Sequence, residues 1–215
     1  MCYQTRLIKK REEIMQRFHA QFTTEQDYLP TVYCSAFDFP KTPVITNVNP
    51  AKIEFFNWGL IPEWSQNDAI KHYTLNARIE TLSKKPSFKT VIQNRCLVLA
   101  DGFYEWQWKD SKGKNKEKYL ITIPNNALFA FAGIYTQWIN FDNTVLNTYT
   151  IVTTQANELM CKIHNTKQRM PVILKKEDEE NWLGGANYHD FKYPYSCNLI
   201  ATSLEEKSDQ FKLFQ

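Results

Sequence analysis

The chain has 215 residues, 43% of them hydrophobic and 14% aromatic, which is material for a sizeable core and excludes a disordered protein. Its formal net charge is only +3, so any contact with nucleic acid must come from a local basic surface and not from bulk charge. No apolar run approaches a membrane span, and the five scattered cysteines contain no CxxC pair, so neither a zinc site nor a dithiol redox pair is indicated. The odd cysteine count and the lack of a secretion signal lead to the expectation of reduced thiols in a cytoplasmic protein, and the protein is separately expected to be a monomer.

Residues 5–22 read as an amphipathic helix, with Leu7, Ile14, Phe18 and Phe22 near one face and Thr5 as its N-cap. That places Cys2 just upstream of a helix N-terminus, where the dipole favours a thiolate. Short β-like runs follow at 32–37, 43–48 and 53–60, punctuated by prolines. A helical stretch is predicted over 76–92, interrupted at Pro86. Strands then dominate at 95–100, 102–108, 118–123, 127–138 and 147–154. A helix is predicted at 156–163, a strand at 170–174 and a helix at 176–183, with Glu177, Asp178, Glu179 and Glu180 on its outer face. Residues 1–200 form one domain, and the polar segment 201–215 reads as a tail. Many strands with segregated helices imply an α+β fold around a curved, barrel-like and mostly antiparallel sheet.

The second residue carries the sharpest chemistry. Removal of Met1 leaves Cys2 with a thiol and a free α-amine on adjacent carbons. An aldehyde can form an imine with the amine, and the thiol can close on the same carbon as a thiazolidine ring. The unperturbed α-amine pKa of about 7.7–8.0 leaves it partly neutral at physiological pH, whereas a lysine near 10.4 needs desolvation. Imine formation also needs a proton donor and a proton acceptor, each worth ~10²–10⁴-fold in rate.

Three further segments stand out: Asn76-Ala77-Arg78-Ile79-Glu80-Thr81, Arg95-Cys96-Leu97 running on to Asp101-Gly102-Phe103-Tyr104-Glu105-Trp106, and Ile163-His164 followed by Arg169-Met170-Pro171-Val172-Ile173-Leu174. With Cys2, this ordered set resembles the SOS-response-associated peptidase (SRAP) family of abasic-site processing proteins, over nearly the whole chain. The resemblance implies that Cys2 cross-links to the aldehyde of a ring-opened abasic sugar in single-stranded DNA. It implies further that Asn76 orients the amine or sugar, that Glu105 transfers protons and acts in release of Met1, and that His164 contacts the opened sugar. Peptidase, autoproteolytic or lyase-type activity would accompany this. Neither a metal nor an organic cofactor is called for.

Two departures from the family pattern stand out. Gln4 occupies the place of a usual arginine, which makes Arg6 a substitute phosphate donor, and Asn165 to Gln168 lengthen the loop between His164 and Arg169. Arg78 and Arg169 are placed to bind flanking phosphates, and Trp64, in a proline-bounded loop, to stack on a base. The lysines at 109, 112, 114, 116 and 118 tip a hairpin that is either a solvated loop or a phosphate contact.

Each of these residues also has a plainer reading: Asn76 as a helix N-cap, His164 as a C-terminal capping histidine, Glu105 as an outward strand charge, Trp64 as core. Strand alternation counts against the one for Glu105, which shares a face with Phe103. Two rival functions stay open. An N-terminal-nucleophile amide hydrolase would release ammonia from an amide without a DNA adduct, and a non-catalytic nucleic-acid-binding barrel would be indifferent to Cys2.

Overall fold

The computed structural model describes residues 2–24 and 28–205. Its strands are β1 (Gln4–Leu7), β2 (Gln21–Phe22), β3 (Thr31–Ser35), β4 (Lys41–Thr46), β5 (Asn49–Trp58), β6 (Asn76–Arg78), β7 (Arg95–Ala100), β8 (Gly102–Trp108), β9 (Lys116–Thr122), β10 (Phe129–Ile139), β11 (Val145–Gln155), β12 (Arg169–Pro171), β13 (Ile173–Leu174) and β14 (Ile200–Ser203). The helices are α1 (Arg11–Phe18), α2 (Pro86–Lys89), α3 (Glu158–Ile163) and α4 (Glu179–Leu183).

Five strands close a barrel. β5 pairs β4, β4 pairs β7, β7 pairs β10 and β10 pairs β11, all antiparallel. The ring is completed by a parallel pairing of β5 with β11 at Asn57↔Thr148 and Trp58↔Tyr149. Closure removes the exposed edges that an open sheet would present. β7 is buried at every position, as expected of a strand covered on both faces. Val98 belongs to one apolar cluster with Val44, Phe131 and Ile151, while Leu97 and Leu99 belong to another with Ile45, Ala132 and Val152. The first cluster is covered by a second sheet, ordered β14-β9-β8-β1-β3, through Phe103 and Ile121. The second is covered in part by α4, whose Trp182 donates its indole N–H to Cys96 O and Gly133 O.

The expected α+β class and the barrel-like, mostly antiparallel sheet are therefore observed. Several local expectations are not. Residues 5–22 are not one helix: Gln4–Leu7 is the strand between β3 and β8, and only Arg11–Phe18 is helical. Thr5 is therefore a strand residue, and Lys10 caps the helix, its N–H bonded to Glu13 Oε2 at 2.9 Å. Cys2 precedes a strand and not a helix, so no helix dipole acts on its thiol. The stretch 76–92 splits into β6, a 3-10 turn at Ile79–Thr81, and α2, which Pro86 starts instead of interrupting. Glu179 does not face solvent. It is buried and holds Arg17 by two hydrogen bonds of 3.0 and 2.8 Å. Ile200–Ser203 pairs with β9 where a tail was expected; the rest of that tail from residue 206 lies outside the described residues.

Candidate active site at Cys2

The site begins with the way β1 is held. Asp101, fully buried at the turn between β7 and β8, accepts from Arg6 Nε at 2.7 Å, from Ile8 N at 2.7 Å and from Lys9 N at 3.2 Å. Its own N–H donates to Arg6 O at 3.0 Å. This knot fixes β1 between β3 and β8 and directs the preceding residues inward. Tyr3 O accepts from Ala36 N at 2.8 Å, and Cys2 is 0% exposed, in the cluster that contains Ala36, Trp58 and Ile151.

Asn76 comes to Cys2 from the barrel. β6 runs parallel to β11 with Ile151 opposite Asn76, and Trp58 Nε1 donates to Leu75 O at 2.8 Å. So placed, Asn76 Nδ2 donates to Cys2 O at 2.9 Å. Its Oδ1 is buried and meets no donor among the described residues. An orphaned buried acceptor costs about 1–3 kcal/mol, which makes it an unusual feature to keep in a fold.

Glu105 lies on β8 with Phe103 and points inward, as alternation requires; it is 7% exposed. Burial pushes its carboxyl above the ordinary range, and Trp106 N donates to its Oε1 at 3.3 Å. The Cys2 thiol is raised well above its usual value, first by burial and then by the charge of Glu105. This reverses the expectation of a thiolate: the sulfur is a neutral S–H.

His164 closes α3, whose N-cap Asn157 accepts from Met160 N at 2.9 Å. The capping position and the site position are thus the same. Its Nδ1 donates to Arg169 O at 2.8 Å, which leaves Nε2 as the acceptor nitrogen. The ring is 7% exposed, and burial lowers its pKa to about 4, so the imidazole is neutral at physiological pH. The lengthened loop after it is ordered by its own contacts. Gln168 N donates to His164 O, and Asn165 exchanges two hydrogen bonds with the Trp108 backbone at 3.1 and 2.8 Å.

Glu105 and His164 share a groove of about 360 Å³ with Tyr3, Gln4, Trp106 and Lys116. The groove therefore leads to the residue that follows Cys2. Of the other expected residues, Arg78 is exposed on β6, two positions from Asn76. Arg6 is held by Asp101. Arg169 makes a two-pronged ion pair with Glu80 at 2.8 and 2.9 Å and donates to Thr153 O, tying two of the sequence motifs together. Trp64 is 56% exposed and not core; its loop is pinned by Trp138 Nε1 to Ser65 O, and it does not line the groove. Sequence reasoning missed Asp101 and Glu80 as anchors, although both are the acidic members of recognised motifs. Among the described residues no group of three acidic, histidine or cysteine side chains is disposed to hold a metal, and no helix is long and apolar enough to cross a membrane.

The mixed barrel thus buries the chain's second residue, a cysteine, beside a groove lined by a carboxyl of raised pKa and a neutral imidazole. A profile of the SOS response associated peptidase (SRAP) family matches residues 1–205, and the chain belongs to that family. It is 39% identical over 192 residues to abasic site processing protein YoqW of Bacillus subtilis (strain 168), covering 87% of this chain and 82% of that one. It is 36% identical over 151 residues to abasic site processing protein HMCES of Gallus gallus, covering 59% of this chain and 43% of that one. A crystal structure of a protein from Bacteroides thetaiotaomicron superposes with a TM-score of 0.85 at 32% identity, over 95% of this chain and 92% of the other.

Proposed function

We propose that the protein captures abasic sites in single-stranded DNA as a covalent thiazolidine at Cys2, once Met1 has been removed. Met1 itself lies outside the described residues. The α-amine of Cys2 adds to the C1′ aldehyde of the opened sugar and gives a carbinolamine. The Glu105 carboxylic acid protonates its hydroxyl, water leaves, and an iminium and the Glu105 carboxylate remain. The Cys2 thiol returns a proton to Glu105 as its sulfur bonds to C1′, and the ring closes with net loss of one water.

The observation that carries this reading is the setting of Cys2: its carbonyl is fixed by Asn76, and the adjoining groove holds Glu105 and His164. The orphaned Asn76 Oδ1 is suited to accept a hydrogen bond from the freed amine. His164 Nε2 is suited to accept one from the opened sugar's hydroxyl. A raised carboxyl pKa suits a group that must first give and then take a proton. A neutral thiol suits imine formation ahead of sulfur attack, and it counts against an amide hydrolase that works through a thiolate.

Arg78 would hold a flanking phosphate, while Arg6 and Arg169 would act chiefly by fixing the strands beneath the site, and Trp64 would meet a base beyond the groove. Loss of Met1 belongs to the same proposal, with Glu105 as its proton donor. The imine can also eliminate the 3′ phosphate, a lyase-type outcome that ring closure suppresses. Incubation with single-stranded abasic DNA should give a band that survives denaturation, absent for Cys2→Ala and weak for fully paired abasic duplex. Equal adduct from Cys2→Ala would remove Cys2 from the reaction.

A further inference from the structure

A strand of DNA lying in the groove brings a phosphate every nucleotide, yet two arginines near it are already engaged. Arg6 is bound to Asp101 and Arg169 to Glu80. Gln4, at the groove wall, is uncharged. The wall continues instead into the hairpin that joins β8 and β9, where Trp108 stands opposite Lys116.

This hairpin is a built object and not a loose loop. The Asp110 carboxylate accepts from the backbone N–H groups of Lys112 at 2.8 Å, Lys114 at 3.3 Å and Asn115 at 2.5 Å. Gly113 is in the left-handed region at φ +65°, and a Cβ there would come within 2.6 Å of the Trp108 ring, so the tip folds down on that indole. The base of the hairpin is locked to the His164 loop by the Trp108–Asn165 exchange and by Gln107 Nε2 to Lys162 O at 2.8 Å.

The lysines divide into two sets. Lys109 is bound to Glu117, and Lys118 lies over the rings of Tyr33, Tyr104 and Trp106 at 4.6, 4.4 and 5.4 Å. Lys112, Lys114 and Lys116 are exposed, with no carboxylate partner among the described residues; the Lys116 ammonium lies over the Trp108 ring at 5.1 Å. Lys112 and Lys114 on the rigid tip and Lys116 at the groove wall, against Trp108, form a continuous track for a phosphate backbone.

We infer that the β8–β9 hairpin is a second strand-binding element, in which Lys112, Lys114 and Lys116 hold consecutive phosphates of the single strand that leaves the groove. This rests on the proposed function only in taking single-stranded DNA as the ligand. The test therefore uses undamaged DNA and a Cys2→Ser background, in which nothing can be trapped covalently.

Binding of labelled oligothymidylate of about 20 nucleotides is followed by fluorescence anisotropy over a salt series. Each lysine–phosphate contact contributes about 0.7 to the slope of log K against log salt on single strands, so Lys112→Gln/Lys114→Gln/Lys116→Gln should lower the slope by about 2. The corresponding triple arginine variant should restore it. Lys52→Gln/Lys192→Gln, which removes two exposed charges away from the groove, should leave the slope unchanged. An unchanged slope in the triple glutamine variant, or an equal fall in the Lys52/Lys192 control, would overturn the inference. A chain that cannot cross-link abasic DNA but shows the loss of slope refutes the reading of Cys2 alone. A chain that cross-links and keeps its slope refutes the hairpin alone.

Discussion

Asp101 and Glu105 sit four residues apart in one motif, both nearly or wholly removed from water, and the fold treats them in opposite ways. Asp101, 0% exposed, is met by a guanidinium and two strand-end amides. Its charge is matched, and its work is to hold β1. Glu105, 7% exposed, sits where burial outweighs what stabilises its charge, so its pKa lies above the ordinary carboxylate range. Burial alone therefore does not set a carboxyl's role; the balance between desolvation and the charges and donors around it does. Asn76 repeats the lesson within one side chain, with Nδ2 paired and Oδ1 orphaned.

The contrast can be broken most severely at Glu105. Glu105→Gln should slow cross-linking by ~10²–10⁴-fold while leaving the fold intact. It should even raise stability at pH 7. A carboxyl whose folded pKa lies above its unfolded value loses stability as pH rises from the unfolded pKa through the folded one, and the amide escapes that loss. Urea midpoints at pH 7 and pH 4 check the sign: the gain should vanish at the lower pH. A variant that unfolds more easily at pH 7 would show that the carboxylate is structural after all.

Asp101→Asn should do the reverse. With Arg6 left beside a neutral amide, stability should fall by about 3–5 kcal/mol, read from denaturant midpoints. Cross-linking should fail only in proportion to the unfolded fraction. Asn76→Ala sharpens the comparison at smaller scale. Loss of the bond to Cys2 O should cost about 1 kcal/mol of stability and up to about 100-fold in cross-linking rate. The least effect belongs to His164. Its pKa near 4 lies below the ordinary value of about 6.5, so the stability it lends is complete above pH 6.5 and drains as pH falls toward 4. His164→Gln should flatten that decline in urea midpoints taken between pH 7 and 4.5.

Much of this arrangement was legible before any coordinates. Alternation along Gly102–Trp108 placed Glu105 with Phe103, and the barrel-like sheet followed from the density of strands. What failed were segments whose partners are far away in sequence. Leu7, Ile14, Phe18 and Phe22 keep a helical spacing, yet Gln4–Leu7 is claimed by β3 and β8, about 30 and 100 residues downstream. Asn76 looked like a helix cap because a three-residue strand has no local signature; only its parallel pairing with β11 makes it one. The engagement of Arg6 by Asp101 and of Arg169 by Glu80 was likewise invisible, since ion pairs across 95 and 89 residues leave no mark on spacing.

Intact and peptide mass spectrometry of the protein after reaction with an abasic oligonucleotide tests the central claim most directly. The account predicts a protein lacking Met1, joined to the DNA with loss of one water, and the modification confined to the N-terminal peptide at Cys2. An adduct on an internal lysine, or a stable adduct formed while Met1 is still attached, would contradict it.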